Sequence, residues 1–447
     1  MIKNFDFQTN IFSKPLSDQP QLFTDVLTNA FSMFVPSKQV TIRPNAPPWT
    51  NTYTRLLQRK NNRNYTIYKA AHSAYNSALS DPNCSAETLT RLFIKKTNKY
   101  NKSHVARNNS TNANRKASNS FYHSVNNIMN NPHISAKKKF GILTNLMKNN
   151  KVTNIPPLID NNCTITDPEK KANLLNNHFA SKSSVTSPTD TPPLLPKHDV
   201  LSDLSVINTS SIEVSKIIRS LKKSSQSYCG IPGKFLCFIA TPISFSLSLL
   251  FNNMFKEGFY PDTFKLAHIT AVWKQKGLKS SKHFYRPISL LPTLSKVCES
   301  VIHHRLLAHL IENNLISDRQ AAYMKGDSTT HQLLYLVHLI RTAWSEGKVV
   351  QGIFLDVSAA FDKVWHSGLL AKLVQNGVTD TCLNLFKSYL SNRTQVVVVD
   401  GVKSQVEKVQ AGIPQGSRLG PLLFIIYAND ITNNLESEII LFADDTT

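Results

Sequence analysis

Acid is scarce in this chain. Against 51 Lys+Arg stand 29 Asp+Glu, a formal charge of +22 at pH 7. Paired cysteine motifs are missing too. Cys84, Cys163, Cys229, Cys237, Cys298 and Cys382 form no CxxC and no zinc spacing, which points to reduced thiols in an intracellular protein. Met1 to Asn10 lacks the basic-then-apolar layout of a secretory signal. Long apolar runs are absent. The longest charge-free stretch, between Lys234 and Lys256, holds Pro242, Asn252, Asn253 and several serines, and reads as a buried helix rather than a membrane span. No repeat of solenoid period occurs. What remains is a chain of 447 residues with 41% apolar content, enough to bury a core and to exclude wholesale disorder, with room for about three domains.

The charge is unevenly spread. Residues 51–150 hold 17 Lys+Arg and 2 acids, whereas residues 401–447 hold 3 basic and 6 acidic residues. A basic arm beside a locally acidic centre suits a protein that grips polyphosphate and coordinates a divalent metal. The whole basic stretch reads as a nucleic-acid-binding region. A single cluster such as Lys137-Lys138-Lys139 reads as a solvated linker.

Residues 1–50 read as irregular, with Pro15, Pro20, Pro36, Pro44, Pro47 and Pro48. From Trp49 to about Asn150 helices alternate with Asn/Ser-rich breaks, and Asn108 to Ser120 is expected to be a mobile loop. Ser181 to Pro196 reads as a second, Pro-rich linker. Beyond about residue 205 the texture becomes compact. Ser211 to Leu221 is a short amphipathic helix, and Thr329 to Ser345 is a long apolar-faced helix closed by Gly347. Val349 to Leu355 is an apolar strand ending on Asp356. Gly368 to Gln375 is a helix stopped by Asn376-Gly377. Gln395 to Val399 is a strand turning at Asp400-Gly401, a strong hairpin signal. Glu438 to Ala443 is a strand ending on Asp444-Asp445. Strands and helices mixed irregularly give the α+β class.

Two of these strands end on carboxylate. If they are neighbours, Asp356, Asp444 and Asp445 converge at the rim of a sheet. Like charges so close repel unless a cation lies between them, and hard Mg²⁺ takes oxygen ligands completed by water and phosphate. Two such ions about 4 Å apart can activate a hydroxyl and stabilise a leaving pyrophosphate. A lone strand-end Asp is more often a turn residue, so other stretches carry the weight. Ala411-Gly412-Ile413-Pro414-Gln415-Gly416-Ser417 sets small residues around one amide, allowing close backbone approach to a ligand, and leads into the apolar helix begun by Pro421. Tyr285–Leu291 follows a Lys274, Lys276, Lys279, Lys282 series. That series forms either a triphosphate clamp or an exposed loop.

Together these stretches resemble the reverse transcriptase of non-LTR (LINE-type) retrotransposons of the jockey-like kind. The ordered matches are Tyr285–Leu291, Gln320 to Thr329, Phe354–His366, Ala411–Phe424 and Phe442–Asp445. Pro156-Pro157-Leu158, Glu169 to Ala180, Gly258–Pro261 and Tyr427–Asp430 are also similar to that family. The resemblance implies a right-hand polymerase fold, with fingers and a partial palm over residues 205–447. Residues 1–48 are then an irregular segment, 49–184 a helical basic RNA-binding extension and 185–204 a Pro-rich linker. It implies an RNA-directed DNA polymerase that adds dNTPs to a DNA primer on an RNA template at target DNA, using two Mg²⁺ ions or Mn²⁺ in their place. Asp356, Asp444 and Asp445 match the metal-binding, catalytic triad. Phe361 matches the gate that rejects a ribose 2′-OH, which disfavours an RNA-dependent RNA polymerase. Gln415 and Gly416 match residues lining the nucleotide and template, and Arg286 with Lys274 or Lys276 falls where triphosphate is held. A cytoplasmic ribonucleoprotein that reaches the nucleus at integration is expected, without membrane attachment.

The sequence departs from the family at several points. Ala359 stands where the family has Lys, and Ala322, Tyr323 and Met324 replace Gly-Phe-Arg. The chain stops at Thr447, so the return strand of the last hairpin and the thumb are expected to be missing, as is a preceding endonuclease. The expectation is an interior piece of a longer polyprotein, inactive alone. The alternative is a decayed, non-catalytic nucleic-acid-binding remnant.

Overall fold

A computed structural model describes residues 2, 5–36, 47–132, 134–136, 139, 141, 155–185, 191–222, 228–324, 326–433 and 435–447. The chain divides into two compact units, one of residues 1–38 with 155–447 and one of residues 39–154. These boundaries differ from the sequence-based divisions at 48 and 184. Lys137 and Lys138 of the basic cluster, and residues 186–190 of the Pro-rich linker, lie outside the described residues.

The first 48 residues, expected to be irregular, contain helix α1 (Gln19–Phe34). Pro20 sits in its first turn, where no backbone N–H is required. Phe23 and Leu27 are buried in the main core, so Pro20 marks a helix start within the stretch expected to be irregular.

Within the unit of residues 39–154, α2 (Thr52–Leu79) and α3 (Ala86–Asn130) form a helical hairpin. Asn51 caps α2 by accepting from Thr54 N at 2.9 Å, and Ser85 caps α3 by accepting from Thr88 N at 3.2 Å. Asn108 to Ser120, expected to be a loop, is helix throughout. It is rich in Asn and Ser but contains no Gly or Pro, and tertiary pairing overrides its weak propensity. Tyr75 meets Phe93, Tyr68 meets Tyr100, and Trp49 meets Phe121 and Tyr122, so the stretch is bracketed by contacts between the two arms. The small residues Ser103, Ala106 and Ser110 are the ones α3 buries.

The other unit is α+β, as expected. Strands β1 (Leu158–Asp160) and β2 (Cys163–Ile165) form a short hairpin turning at Asn161-Asn162, both with positive φ. A five-stranded sheet has the order β4-β3-β6-β7, with β8 also on β6. Its strands are β3 (Leu266–Trp273), β4 (Tyr285–Leu290), β6 (Thr394–Val399), β7 (Val402–Lys403) and β8 (Glu407–Lys408). β3 runs antiparallel to β4 and parallel to β6. The β6–β7 turn is at Asp400-Gly401, as the sequence indicates, with φ of 51° and 84°.

Helix α4 (Pro168–Lys182) packs on this sheet. Its Ala172, Leu175 and Phe179 join Ile269, Tyr285, Val397 and Val399 in one core. Asn176 donates to Gln405 O at 2.7 Å and accepts from Gln395 Nε2 at 3.0 Å. This is why the compact unit begins near residue 155 and not at 205.

The larger core is helical. It is built from α5 (Ser211–Ser220), α6 (Gly233–Phe238), α7 (Ala240–Lys256), α8 (Thr293–Glu312), α10 (His366–Gln375), α11 (Asp380–Leu390) and α12 (Gly420–Ala428). The charge-free stretch, expected to be one buried helix, is the two helices α6 and α7, which bury most of their apolar residues but leave Phe238 and Phe245 exposed. No helix among the described residues is long and apolar enough to cross a membrane. Between α8 and α10 lies α9, Thr329–Ser345, with the bounds read from the sequence. It buries none of its residues, and Leu333, Leu334 and Trp344 are exposed.

A second sheet has the order β5-β10-β9, from β5 (Leu355–Asp356), β9 (Leu441–Phe442) and β10 (Asp445–Thr446). Three sequence expectations are corrected here. Val349 to Leu355 is not a strand: only Leu355 and Asp356 enter the ladder, because β10 offers two residues to pair with. The strand read over Glu438 to Ala443 is only Leu441–Phe442, with Glu438 drawn instead to Arg319. The return strand expected to be missing is present as β10, paired to β9 on one side and to β5 on the other.

Candidate active site

The β9–β10 turn places its acids through one backbone departure. Ala443 takes φ of 62°, so the chain reverses between Phe442 and its cross-strand partner Asp445. Asp445 is the Cα partner of Asp356 on β5. Directly opposed residues of an antiparallel pair project to the same face. Register therefore brings Asp356 and Asp445 together, with Asp444 at the adjoining turn. The two apolar strands that end on acid are not themselves neighbours; the return strand β10 lies between them.

One buried amide fixes that turn. Gln320 Oε1 accepts from Ala443 N at 3.0 Å and from Ala322 N at 2.9 Å. Ala321 N donates to Leu441 O at 3.0 Å, and Leu441 N donates to Arg319 O at 3.1 Å. The same short segment brings Tyr323 near Asp444: burial, and then the Asp444 carboxylate, push its phenol above the ordinary range. The sequence pointed to Gln320 only as the start of a matching motif. Its positioning role depends on a contact 123 residues away in sequence, which no local pattern reveals.

The glycine loop is laced into place at both glycines. A Cβ on Gly412 would lie 2.6 Å from Asp362 O, and φ is 84°. That close approach lets Gly412 N donate to Val364 O and Ile413 N to Phe361 O, each at 2.8 Å. Gly416, at φ of 122°, approaches Ser289 O, which would lie 2.7 Å from a Cβ there. Ser289 N donates to Gln415 O at 2.8 Å. At the start of α12, the buried Glu299 accepts from Arg418 N at 2.6 Å and from Ser295 Oγ at 3.2 Å. Burial holds the Glu299 carboxyl above the usual carboxylate range. Phe361 stacks on Phe424 of α12, centroids 5.0 Å apart and planes 14° apart.

These pieces surround a cavity of about 410 Å³. Asp356 and Asp444 line it, with Phe361, Gln415, Lys274, Lys276 and Arg286. Asp445 and Gly416 are not among the lining residues. The lysine series divides. Lys279 lies over the Trp273 ring at 4.6 Å, and Lys282 pairs with Asp160 at 2.6 Å, leaving Lys274 and Lys276 to the cavity. Two charged lining residues were not among the expected site residues, Lys182 and Asp362. Burial holds the Asp362 carboxyl above its ordinary range, opposed by Lys182 and Lys274. Burial and the charge of Lys274 lower the Lys182 ammonium, opposed by Asp362.

Carboxylates and cations lining one cavity can hold a polyphosphate and a divalent metal together. Among the described residues, no three His, Cys, Asp or Glu side chains are gathered so as to enclose a metal ion by themselves. Two carboxylates opening onto a cavity are the donor set Mg²⁺ takes when phosphate and water complete its six positions. Asp356 and Asp444 fit that set, with Asp445 across the ladder from Asp356.

Residues 274–447 match the family described as Reverse transcriptase (RNA-dependent DNA polymerase). The relatives it resembles belong to non-LTR retrotransposons. The chain is 36% identical over 208 residues to the RNA-directed DNA polymerase from mobile element jockey of Drosophila melanogaster, covering 45% of this chain and 23% of that protein. It is 33% identical over 207 residues to the jockey polymerase of Drosophila funebris, covering 44% and 22%. It is 30% identical over 241 residues to the retrovirus-related Pol polyprotein from type-1 retrotransposable element R1 of Bradysia coprophila, covering 53% and 23%. The matched part of the chain thus spans about a quarter of the length of these relatives.

Proposed function

We propose that the chain is the RNA-directed DNA polymerase portion of a non-LTR retrotransposon protein, extending a DNA primer with dNTPs on an RNA template. The observation that carries this reading is the register of Asp356 opposite Asp445, with Asp444 at the turn, where Asp356 and Asp444 line a cavity together with Lys274, Lys276 and Arg286. In this reading β5, β10 and β9 are the palm, and the sheet around β3 and β4 belongs to the fingers.

The primer 3′-OH attacks the α-phosphorus in line. A new P–O bond forms, the bond to the bridging oxygen breaks, and pyrophosphate leaves. Two Mg²⁺ ions, or Mn²⁺, held by Asp356, Asp444 and Asp445 supply Lewis acidity at the attacking and leaving oxygens when bound. Lys274, Lys276 and Arg286 hold the triphosphate and spread its developing charge. Gln415 and Gly416 line the nucleotide and template through backbone already fixed against Ser289. Phe361, backed by Phe424, occupies the space a ribose 2′-OH needs. The basic hairpin of α2 and α3, with exposed Tyr53, Tyr65, Tyr100 and Tyr122, binds the RNA by phosphate contacts and stacking.

A second reading has one observation in its favour: the two strands that carry acids, β5 and β10, are each two residues long. So short a ladder suits a remnant that binds nucleic acid without turnover. Incorporation of a single labelled dNTP on a primed RNA template with Mg²⁺ separates the two. Incorporation that disappears with Asp356→Asn supports the polymerase. RNA binding with no incorporation supports the remnant.

A further inference from the structure

Lys182 is the last residue of α4, outside the stretch that matches the reverse transcriptase family, yet it lines the same cavity as Lys274, Lys276 and Arg286. Its support is rigid. Along α4, Asn173 accepts from Gln405 N at 2.8 Å, Asn176 bonds Gln405 O and Gln395, and Lys171 donates to Ile155 O at 2.8 Å. The next residue, Ser183, is buried and accepts from Ala411 N at 2.9 Å. The backbone bearing Lys182 is therefore tied to the loop that bears Gln415. A helix docked this firmly delivers its terminal ammonium to a defined place.

The charge pattern there is unbalanced. Lys182 and Lys274 repel one another, and the carboxylate acting on both is Asp362, which burial draws toward its neutral form. One turn earlier, His178 packs edge-on against His283 at 4.7 Å, and burial lowers it to about 4, so it adds neither charge nor counter-charge at neutral pH. Cations brought together at this density are stabilised by an anion among them.

We propose that Lys182 is a phosphate-binding residue of this cavity, so that α4 completes its cationic lining. The inference rests on the polymerase reading above. Its ligand is a phosphate group, either of the incoming deoxynucleoside triphosphate or of the template strand beside it.

The test uses the full chain, a fluorescent dATP analogue with Mg²⁺, and a labelled RNA template annealed to a DNA primer. Lys182→Ala should weaken nucleotide binding about tenfold, as removing one charged partner of a phosphate would, with primer–template binding within about twofold. Lys182→Arg should keep nucleotide binding within about threefold, and Lys182→Gln replaces the alanine variant should that one unfold in a thermal melt. Weakened primer–template binding with nucleotide binding intact would also support the site and assign the phosphate to the template. Unchanged binding in both arms, while Arg286→Ala loses the nucleotide, would overturn the inference and leave the polymerase reading standing. A wild-type chain that binds neither probe would overturn both. Arginine as weak as alanine would also overturn the inference, because charge would then not be what the site uses.

Discussion

Over 45 residues α3 buries Ser103, Ala106 and Ser110, whereas α8 buries twelve of its 20. The hairpin of α2 and α3 holds together by N-caps and aromatic contacts at intervals, and leaves its described lysines and arginines wholly or partly exposed. The mixed unit encloses two cores and ties loops to one another through single buried groups such as Gln320 and Glu299. The first arrangement presents charge over a long surface and tolerates change at most positions. The second fixes a few atoms closely and tolerates little. In the proposed function the first holds RNA and the second does the chemistry, so substitutions should separate binding from turnover.

The largest separation should come from Asp356→Asn. One shared metal ligand disappears while the side-chain shape remains, so primer extension should fall by roughly a thousandfold or more with RNA affinity unchanged. Activity within about tenfold of the parent would remove Asp356 from that role.

Gln320→Leu should act through position. It leaves Ala322 N and Ala443 N buried without their acceptor, at about 1–3 kcal/mol each, and frees the turn that bears Asp444. Extension should fall by about a hundredfold, with a lower melting temperature and unaltered RNA binding. A wild-type rate in a destabilised variant would show that the turn holds itself.

Phe361→Ala should relax sugar selection by about tenfold or more while lowering dNTP use less, since the proposed gate acts by exclusion. The ratio of deoxy- to ribonucleotide incorporation measures this, and an unchanged ratio places the gate elsewhere.

The hairpin should respond to salt instead. Replacing its lysines or arginines singly by Gln should reduce the log–log salt slope of RNA binding by about 0.7 for each phosphate no longer neutralised, without altering the incorporation rate at saturating RNA. A slope indifferent to every substitution would return the hairpin to a plain linker.

The smallest effect concerns acid stability. Burial lowers His178, His268 and His303 from 6.5 to about 4, so between those values the unfolded chain binds more protons than the folded one. Their contribution is complete above about pH 6.5 and is lost as pH falls toward 4. The mixed unit should melt at a lower temperature at pH 5 than at pH 7.5, as near-ultraviolet circular dichroism can follow.

Local patterns were legible wherever one segment decided its own structure. The bounds of α9, the Asp400-Gly401 turn and the burial of most of the charge-free stretch follow from periodicity and turn chemistry alone. The carboxylates were legible as strand ends, but their assembly was not, because β10 is two residues long and has no periodicity to read. Lys182 was hidden for a related reason. Nothing around Pro168–Lys182 says which sheet it covers, and the polar residues that dock it, Asn173 and Asn176, look like surface residues. Asn108 to Ser120 misled in the opposite sense: its composition suits a loop, and its pairing with the other arm makes it helix.

The strand order β5-β10-β9 also sets a timetable. Asp356 precedes its cross-strand partner Asp445 by 89 positions, and the middle strand of the sheet is made last of the three. At roughly 5–20 residues per second on the ribosome, β5 waits roughly 4 to 18 seconds for the strand that pairs with it. Over that interval Leu355 and Asp356 have no ladder to restrain them, and Val349, Ile353 and Phe354 before them stay exposed even in the finished structure. The basic hairpin of a nascent chain is therefore made well before Asp356 and Asp445 can pair. In the proposed function, capture of RNA during translation would then precede catalytic competence.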